Sequence, residues 1–251
     1  MLPFSRNWTA VQRTPSSNRR LGATLAFVAG AANAGGFLAV GQYTSHMTGI
    51  VSSVADNLVL GNGTLVVTGL GALLAFLLGA MFTAWMVNWG FRHSLRSAYC
   101  LPLLFEAAAL LLFGVFGSAI GMYAPLFLPM TVVLLCFIMG LQNAVITKIS
   151  KAEIRTTHVT GLVTDLGIEL GKLFYINRLP ENQASVRRVV ADRSKLRLQS
   201  LLIACFFGGS VLGAIGFKYV GYGSTIPLAL GLLLIALRPA LEDLRRTRAA
   251  H

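Results

Sequence analysis

Two short segments hold the residues best placed to do chemistry. Ser45-His46-Met47-Thr48-Gly49 recurs as Thr157-His158-Val159-Thr160-Gly161, so a hydroxyl, an imidazole, a second hydroxyl and a glycine come twice in the same order. A helix starting at Thr48-Gly49 or Thr160-Gly161 leaves its first N–H groups without intrahelical partners, and Ser or Thr just ahead of it can cap it. Those amides, at the positive end of the helix dipole, favour an anion or a polarised ligand atom. Glycine at that point lets backbones approach closely. His46 and His158 are the only histidines inside the apolar body, since His93 falls in a loop and His251 ends the chain. An imidazole can donate to a solute or change charge near neutral pH; the plainer alternative is a neutral ring satisfied by a backbone carbonyl. Ser45, His46, Thr48, Gly49, Thr157, His158, Thr160 and Gly161 are therefore the expected substrate-binding residues. Two histidines without a matched carboxylate or thiol cluster define no metal site, and no organic cofactor is expected.

With each glycine as register, Ser53 aligns with Asp165 and Asn57 with Glu169. Steps of four put positions 49, 53 and 57, and likewise 161, 165 and 169, on one helix face. Ionisable groups inside a membrane protein are costly, turn toward the bundle interior and mark ion or substrate paths. Asp56, Asp165 and Glu169 are the ion-coupling candidates, and Glu106 is a fourth. Lys172, three residues after Glu169, offers a purely structural ion pair instead. Asn33 and Asn143 occupy equivalent places, in Gly30-x-x-Asn33 and Gly140-x-x-Asn143. They are expected at the interface between repeats, as hydrogen-bonding helix glue.

The elements that must position these groups follow from composition. Hydrophobic residues make up 55% of the 251 and charged residues 12%, too little charge to keep so much apolar surface in water. The bilayer is the expected environment. The net charge of +12 sits in short loops and termini between apolar runs, where it orients helices rather than binding nucleic acid. Cys100, Cys136 and Cys205 are scattered in apolar surroundings without disulfide or metal spacing. Six runs, near 21–41, 64–90, 98–120, 125–147, 198–220 and 225–240, approach the roughly 17–25 residues that cross the hydrocarbon core. Because further spans follow it, the first run is a retained helix and not a signal peptide. Residues 1–20 are expected as a disordered cytoplasmic tail.

Segments 45–62 and 157–175 are too polar to face lipid, and charge decides their status. If neither crosses, 20 of the 21 Lys and Arg fall on one side, with Lys218 the exception, as the positive-inside rule requires. Both are therefore expected as short or re-entrant helices buried in protein. Three spans per half is an odd number, so the halves face opposite ways and both termini are cytoplasmic. The fold class expected is all-α and polytopic, with about six transmembrane helices plus two short broken ones. Its domains are a first repeat at 21–122, a second at 123–240 with a basic cytoplasmic loop at about 176–197, and a tail at 241–251. Gly71-x-x-x-Ala75-x-x-x-Gly79, Gly167-x-x-x-Gly171 and Gly209-x-x-x-Gly213 are small-residue ridges suited to close packing.

Ala32-Asn33-Ala34-Gly35-Gly36-Phe37, the Ser45–Gly49 segment and Asp56-Asn57, with Gly140-Leu141-Gln142-Asn143-Ala144 and Arg155–Gly161 in the second half, resemble the pattern of the YoaK-like bacterial membrane proteins, a domain of unknown function. The resemblance covers roughly residues 20–240 and implies an inner-membrane protein of about six helices, without naming an activity. The function expected from the residues is a small secondary transporter or channel-like permease for an unidentified small solute, coupled to a proton or cation through the acidic faces. An intramembrane enzyme and a non-catalytic scaffold are the alternatives. The sequence carries no Gly-x-Ser-x-Gly elbow and no His-Glu-x-x-His to favour the enzyme. The expected partners are the lipid bilayer and the solute, with no nucleic acid, and a homo-oligomer is compatible with the chain.

Overall fold

The computed structural model describes residues 14–150, 156–177 and 188–249. The expected tail up to residue 13, part of the basic loop, Lys151, Arg155 and the last two residues lie outside the described residues. Among those described, eight α-helices follow one another: α1 Pro15–Val40, α2 Met47–Val59, α3 Gly63–Arg92, α4 Cys100–Ala119, α5 Ala124–Ser150, α6 Val159–Phe174, α7 Arg193–Tyr219 and α8 Thr225–Ala249. A short 3-10 turn, Gly221–Ser224, leads into α8. All but α2 and α6 are long and apolar enough to cross a membrane, so the chain is compatible with a multi-pass membrane protein. The 13 residues of α2 and 16 of α6 extend about 20 and 24 Å, short of a hydrocarbon core of about 30 Å.

Helix ends differ from expectation where local capping extends them. The Thr14 side chain accepts the N–H of Ser17 and Pro15 fills the first turn, where its missing N–H costs nothing; α1 thus starts ahead of residue 21. The Asp192 side chain accepts from the N–H groups of Ser194 and Lys195, so α7 takes in basic residues assigned above to the loop. At the end of α1, Gly41 adopts a left-handed φ of 73° and its N–H returns to the Phe37 carbonyl, a glycine C-cap.

The long helices associate through glycines that leave no room for a side chain. A Cβ on Gly30 of α1 would strike the Phe206 carbonyl of α7, and one on Gly209 of α7 would strike the Phe27 carbonyl of α1. The pair α3 and α5 repeats the arrangement, Gly140 lying on the Phe76 carbonyl and Gly79 on the Phe137 carbonyl. In the first pair Gly35 meets Phe217 further along, so α1 and α7 run parallel. In the second, Ala72 and Ala75 cluster with Val132 and Cys136 at one end, and Lys148 donates to Asn88 at the other; α3 and α5 are parallel too. By contrast, α4 and α8 are antiparallel, with Gly114 against Thr225 and the Ser97 N–H on the Asp243 carboxylate. Equally, α1 and α5 are antiparallel, Gln142 donating to the Leu25 carbonyl and Gly36 lying against Leu135. The ridge at Gly209 and Gly213 packs on α1 as expected, whereas Gly167 and Gly171 face open space.

Candidate functional site

After α1 and after α5 the chain turns back along the helix it has just left. Asn33 lies seven residues before the end of α1 and Asn143 seven before the end of α5, a depth of about 10 Å at the helical rise. The Ser45 hydroxyl donates to Asn33 Oδ1 at 2.9 Å and the Ser45 N–H to the same atom at 3.4 Å. In the second half the Thr157 hydroxyl donates to Asn143 Oδ1 at 2.7 Å. The two asparagines, expected between repeats, thus each anchor the returning chain of their own half. Polar side chains become such anchors at a depth where a loose backbone would otherwise go unsatisfied.

Each anchored segment opens a short helix with histidine at the cap position, His46 for α2 and His158 for α6, and neither ring makes a capping hydrogen bond. The Ser and Thr caps expected from sequence are not formed. Ser45 and Thr157 are committed to the asparagines, and Thr48 and Thr160 lie inside the first turn. A Cβ on Gly49 would collide with Nδ1 of His46, and one on Gly161 with Nδ1 of His158. The glycine therefore seats its own half's imidazole over the first turn, so that the close approach expected there is to a ring and not to another backbone.

Both tips line one cavity of about 1060 Å³. Ser45, His46 and Thr48 come from α1–α2, Thr157, His158 and Thr160 from α5–α6, and Asn33, Asn143 and Thr147 add to the polar lining. Phe76 and Phe206, which carry the carbonyls that the packing glycines touch, form apolar walls with Phe37 and Tyr43, whose rings stack at 4.8 Å. Ser210 adds a further hydroxyl. Among the described residues that line it there is no Asp, Glu, Lys or Arg. A cavity of hydroxyl, amide and imidazole groups beside two helix N-termini, walled by aromatics, suits a small solute with one polarised end and one apolar end.

The carboxylates named as ion-coupling candidates do not line this cavity. Asp56 and Asp165 are exposed, and Asn57 bonds within its own helix, to the Ser53 carbonyl at 2.8 Å. Glu169 is buried, with Lys172 Nζ at 2.8 Å and the Asp192 N–H at 2.8 Å. Lys172, by its hydrogen bond, and then the Asp192 amide hold this carboxyl below the ordinary range. Asp165, Glu169, Lys172, Lys195 and Gln199 line a separate cavity of about 370 Å³. Sequence reasoning missed Thr44 and Thr156, each just ahead of the anchored hydroxyl. Both are fully buried, and neither hydroxyl has a partner among the described residues. The signal was available, because the repeated unit begins one residue earlier, as Thr44-Ser45-His46 and Thr156-Thr157-His158.

Residues 21–238 match a family model described as a protein of unknown function, DUF1275. No curated protein and no solved structure matches the chain.

Proposed function

The chain belongs to the DUF1275 family of proteins of unknown function, and from that premise we propose that it is a small secondary transporter or channel-like permease. Its solute site is the cavity between the two Ser/Thr-His-x-Thr tips. The observation that supports this most is the meeting of both copies on one void. Alternating access between two halves needs equivalent elements at a shared site, whereas a scaffold closed by packing needs no void and a catalyst needs no duplication.

The halves, 21–122 and 123–240, are inverted three-span repeats in this reading. The counterparts α1 and α5 are antiparallel, as are α4 and α8, and the packing contacts exchange, Gly30 on Phe206 for Gly140 on Phe76 and Gly209 on Phe27 for Gly79 on Phe137. With the basic residues on one side, both termini face the cytoplasm, α2 enters from outside and α6 from inside. The YoaK-like resemblance adds a bacterial inner membrane as the setting. Asp56, Asp165 and Glu169 flank the tips without reaching the cavity, so any coupling through them acts by moving α2 and α6.

A thermal-shift screen of small solutes against the purified protein tests the reading directly. A ligand present at about 100 times its Kd stabilises the fold by about 2.7 kcal/mol. With that ligand, His46→Ala and His158→Ala should each abolish both the shift and flux into reconstituted vesicles while leaving the unliganded melting temperature unchanged. Full flux in both variants would remove this cavity from the function.

A further inference from the structure

Among the acidic residues that the structure describes, Glu106 has a singular position. It lies in the second turn of α4, is 0% exposed, and neither carboxyl oxygen has a hydrogen-bond partner among the described residues. The other buried acids are engaged: Glu169 holds Lys172 and the Asp192 N–H, and Asp243 holds the Ser97 N–H.

The surroundings can be read from the register of the packed helices. Between the contacts Ser97–Asp243 and Gly114–Thr225, the stretch of α8 level with Glu106 contains Leu232, Leu233 and Ala236, all apolar. Ionisable α8 residues begin only at Arg238, which is paired with Glu242, and continue through Asp243 and Arg245 toward the helix end. On α5 the level is set by Phe137, whose ring centroid is 6.0 Å from that of Phe105. Cys136 there packs toward α3 with Ala72 and Ala75, and Lys148 lies three turns on, held by Asn88. From α3 the nearest charged residue is Arg92, at its end, and Tyr222 of the 3-10 turn sits beside Gly117 at the opposite end of α4. Among the described residues, none of these elements brings a cation or a donor within hydrogen-bond distance of the carboxyl.

A charged carboxylate left unpaired in such a place is strongly disfavoured and neutralises instead. We infer that Glu106 carries a proton in this conformation and is the protonation site that couples the two halves, an assignment that rests on the permease reading above. One carboxylate oxygen takes a proton from water when the α4–α8 seam is open to one side, and the neutral acid is then enclosed as the seam closes. Release to water on the other side returns the carboxylate. Acid conditions favour the closed arrangement seen here, and alkaline conditions favour whichever arrangement hydrates the carboxylate.

Two measurements on the full-length protein in lipid vesicles test this. Infrared spectra at neutral pH should contain the carbonyl stretch of a protonated acid in a dry setting, absent from Glu106→Gln. The second uses a water-soluble maleimide against Thr48→Cys and Thr160→Cys, in a background lacking the three native cysteines. The ratio of the two labelling rates should change several-fold between mildly acidic and mildly alkaline buffer, and be fixed when Glu106→Gln is added. If that variant aggregates, Glu106→Met, of similar volume, replaces it. A wild-type spectrum without the protonated band, or a pH-dependent ratio that survives the substitution, overturns the assignment. Failure of the permease reading has a different signature, both cysteines unreactive at every pH whatever the infrared result.

Discussion

At the residue scale, two asparagines hold the chain where it turns back along the preceding helix. Asn33 takes two donors from Ser45, the hydroxyl and the backbone N–H, whereas Asn143 takes the Thr157 hydroxyl. A neutral hydrogen bond of this kind is worth about 0.5–1.5 kcal/mol, and within membrane bundles the average is about 0.6 kcal/mol. Asn33→Ala should therefore destabilise more than Ser45→Ala, because it also strips the Ser45 N–H of its acceptor, while Asn143→Ala and Thr157→Ala should cost similar amounts. In double-mutant cycles on thermal unfolding in detergent, each Asn–hydroxyl pair should show a coupling of about 0.5–1.5 kcal/mol. At this chain length 1 kcal/mol corresponds to about 2–4 °C in melting temperature, which is resolvable. A coupling of zero in both halves would mean that the tips are held by packing alone.

At the scale of elements, the same glycine contact is used in both major helix pairs. Where a Cβ would strike a backbone carbonyl, the neighbour cannot yield by rotating a side chain, and the helices themselves must separate. Gly30→Ala, Gly140→Ala, Gly79→Ala and Gly209→Ala should each destabilise by about 1–3 kcal/mol, as overpacking does. Gly71→Ala and Gly167→Ala meet no atom within 4 Å and should be neutral or stabilising by up to about 1 kcal/mol, since they relieve the helix of a poor former. Equal melting temperatures across the six variants would show that the close crossings carry no stability. The contrast also marks what the sequence could reveal. Spacing alone identified the ridges at Gly79 and Gly209, but it ranked Gly167-x-x-x-Gly171 with them, because spacing reports a face and not whether anything lies against it. The polar face at 49, 53 and 57 was legible for the same reason and misleading for the same reason, since α2 buries no residue. That Gly49 houses the His46 ring depends on a side-chain rotamer, which no periodicity encodes.

For the whole molecule, the directions of the packed helices constrain how many segments cross the bilayer. If α2 alone crossed, or α6 alone, every helix between it and the chain's end would reverse relative to α1, and α1 and α7 would lie antiparallel. They are parallel, as Gly30 on Phe206 and Gly35 on Phe217 require. Crossing by both would restore the parity, but 13 and 16 residues fall short of the roughly 20 that a span needs. Six candidate spans remain, the number that would place 20 of the 21 Lys and Arg on one face. Charge counting from sequence reached the same number of candidate spans, because a sequence displays its apolar runs and loop charges in full, whereas the meeting of the two tips is a three-dimensional fact. The sidedness can be measured with single cysteines in the loops. Asn62→Cys, after α2, and Tyr123→Cys, between α4 and α5, should both react with an impermeant thiol reagent added to intact cells. Ser94→Cys, between α3 and α4, should react only in inverted membrane vesicles. If Asn62→Cys were instead labelled from the face opposite to Gln42→Cys, ahead of α2, that short helix would have to cross. The two tips would then no longer enter from opposite sides, and the shared cavity would lose its symmetry of access.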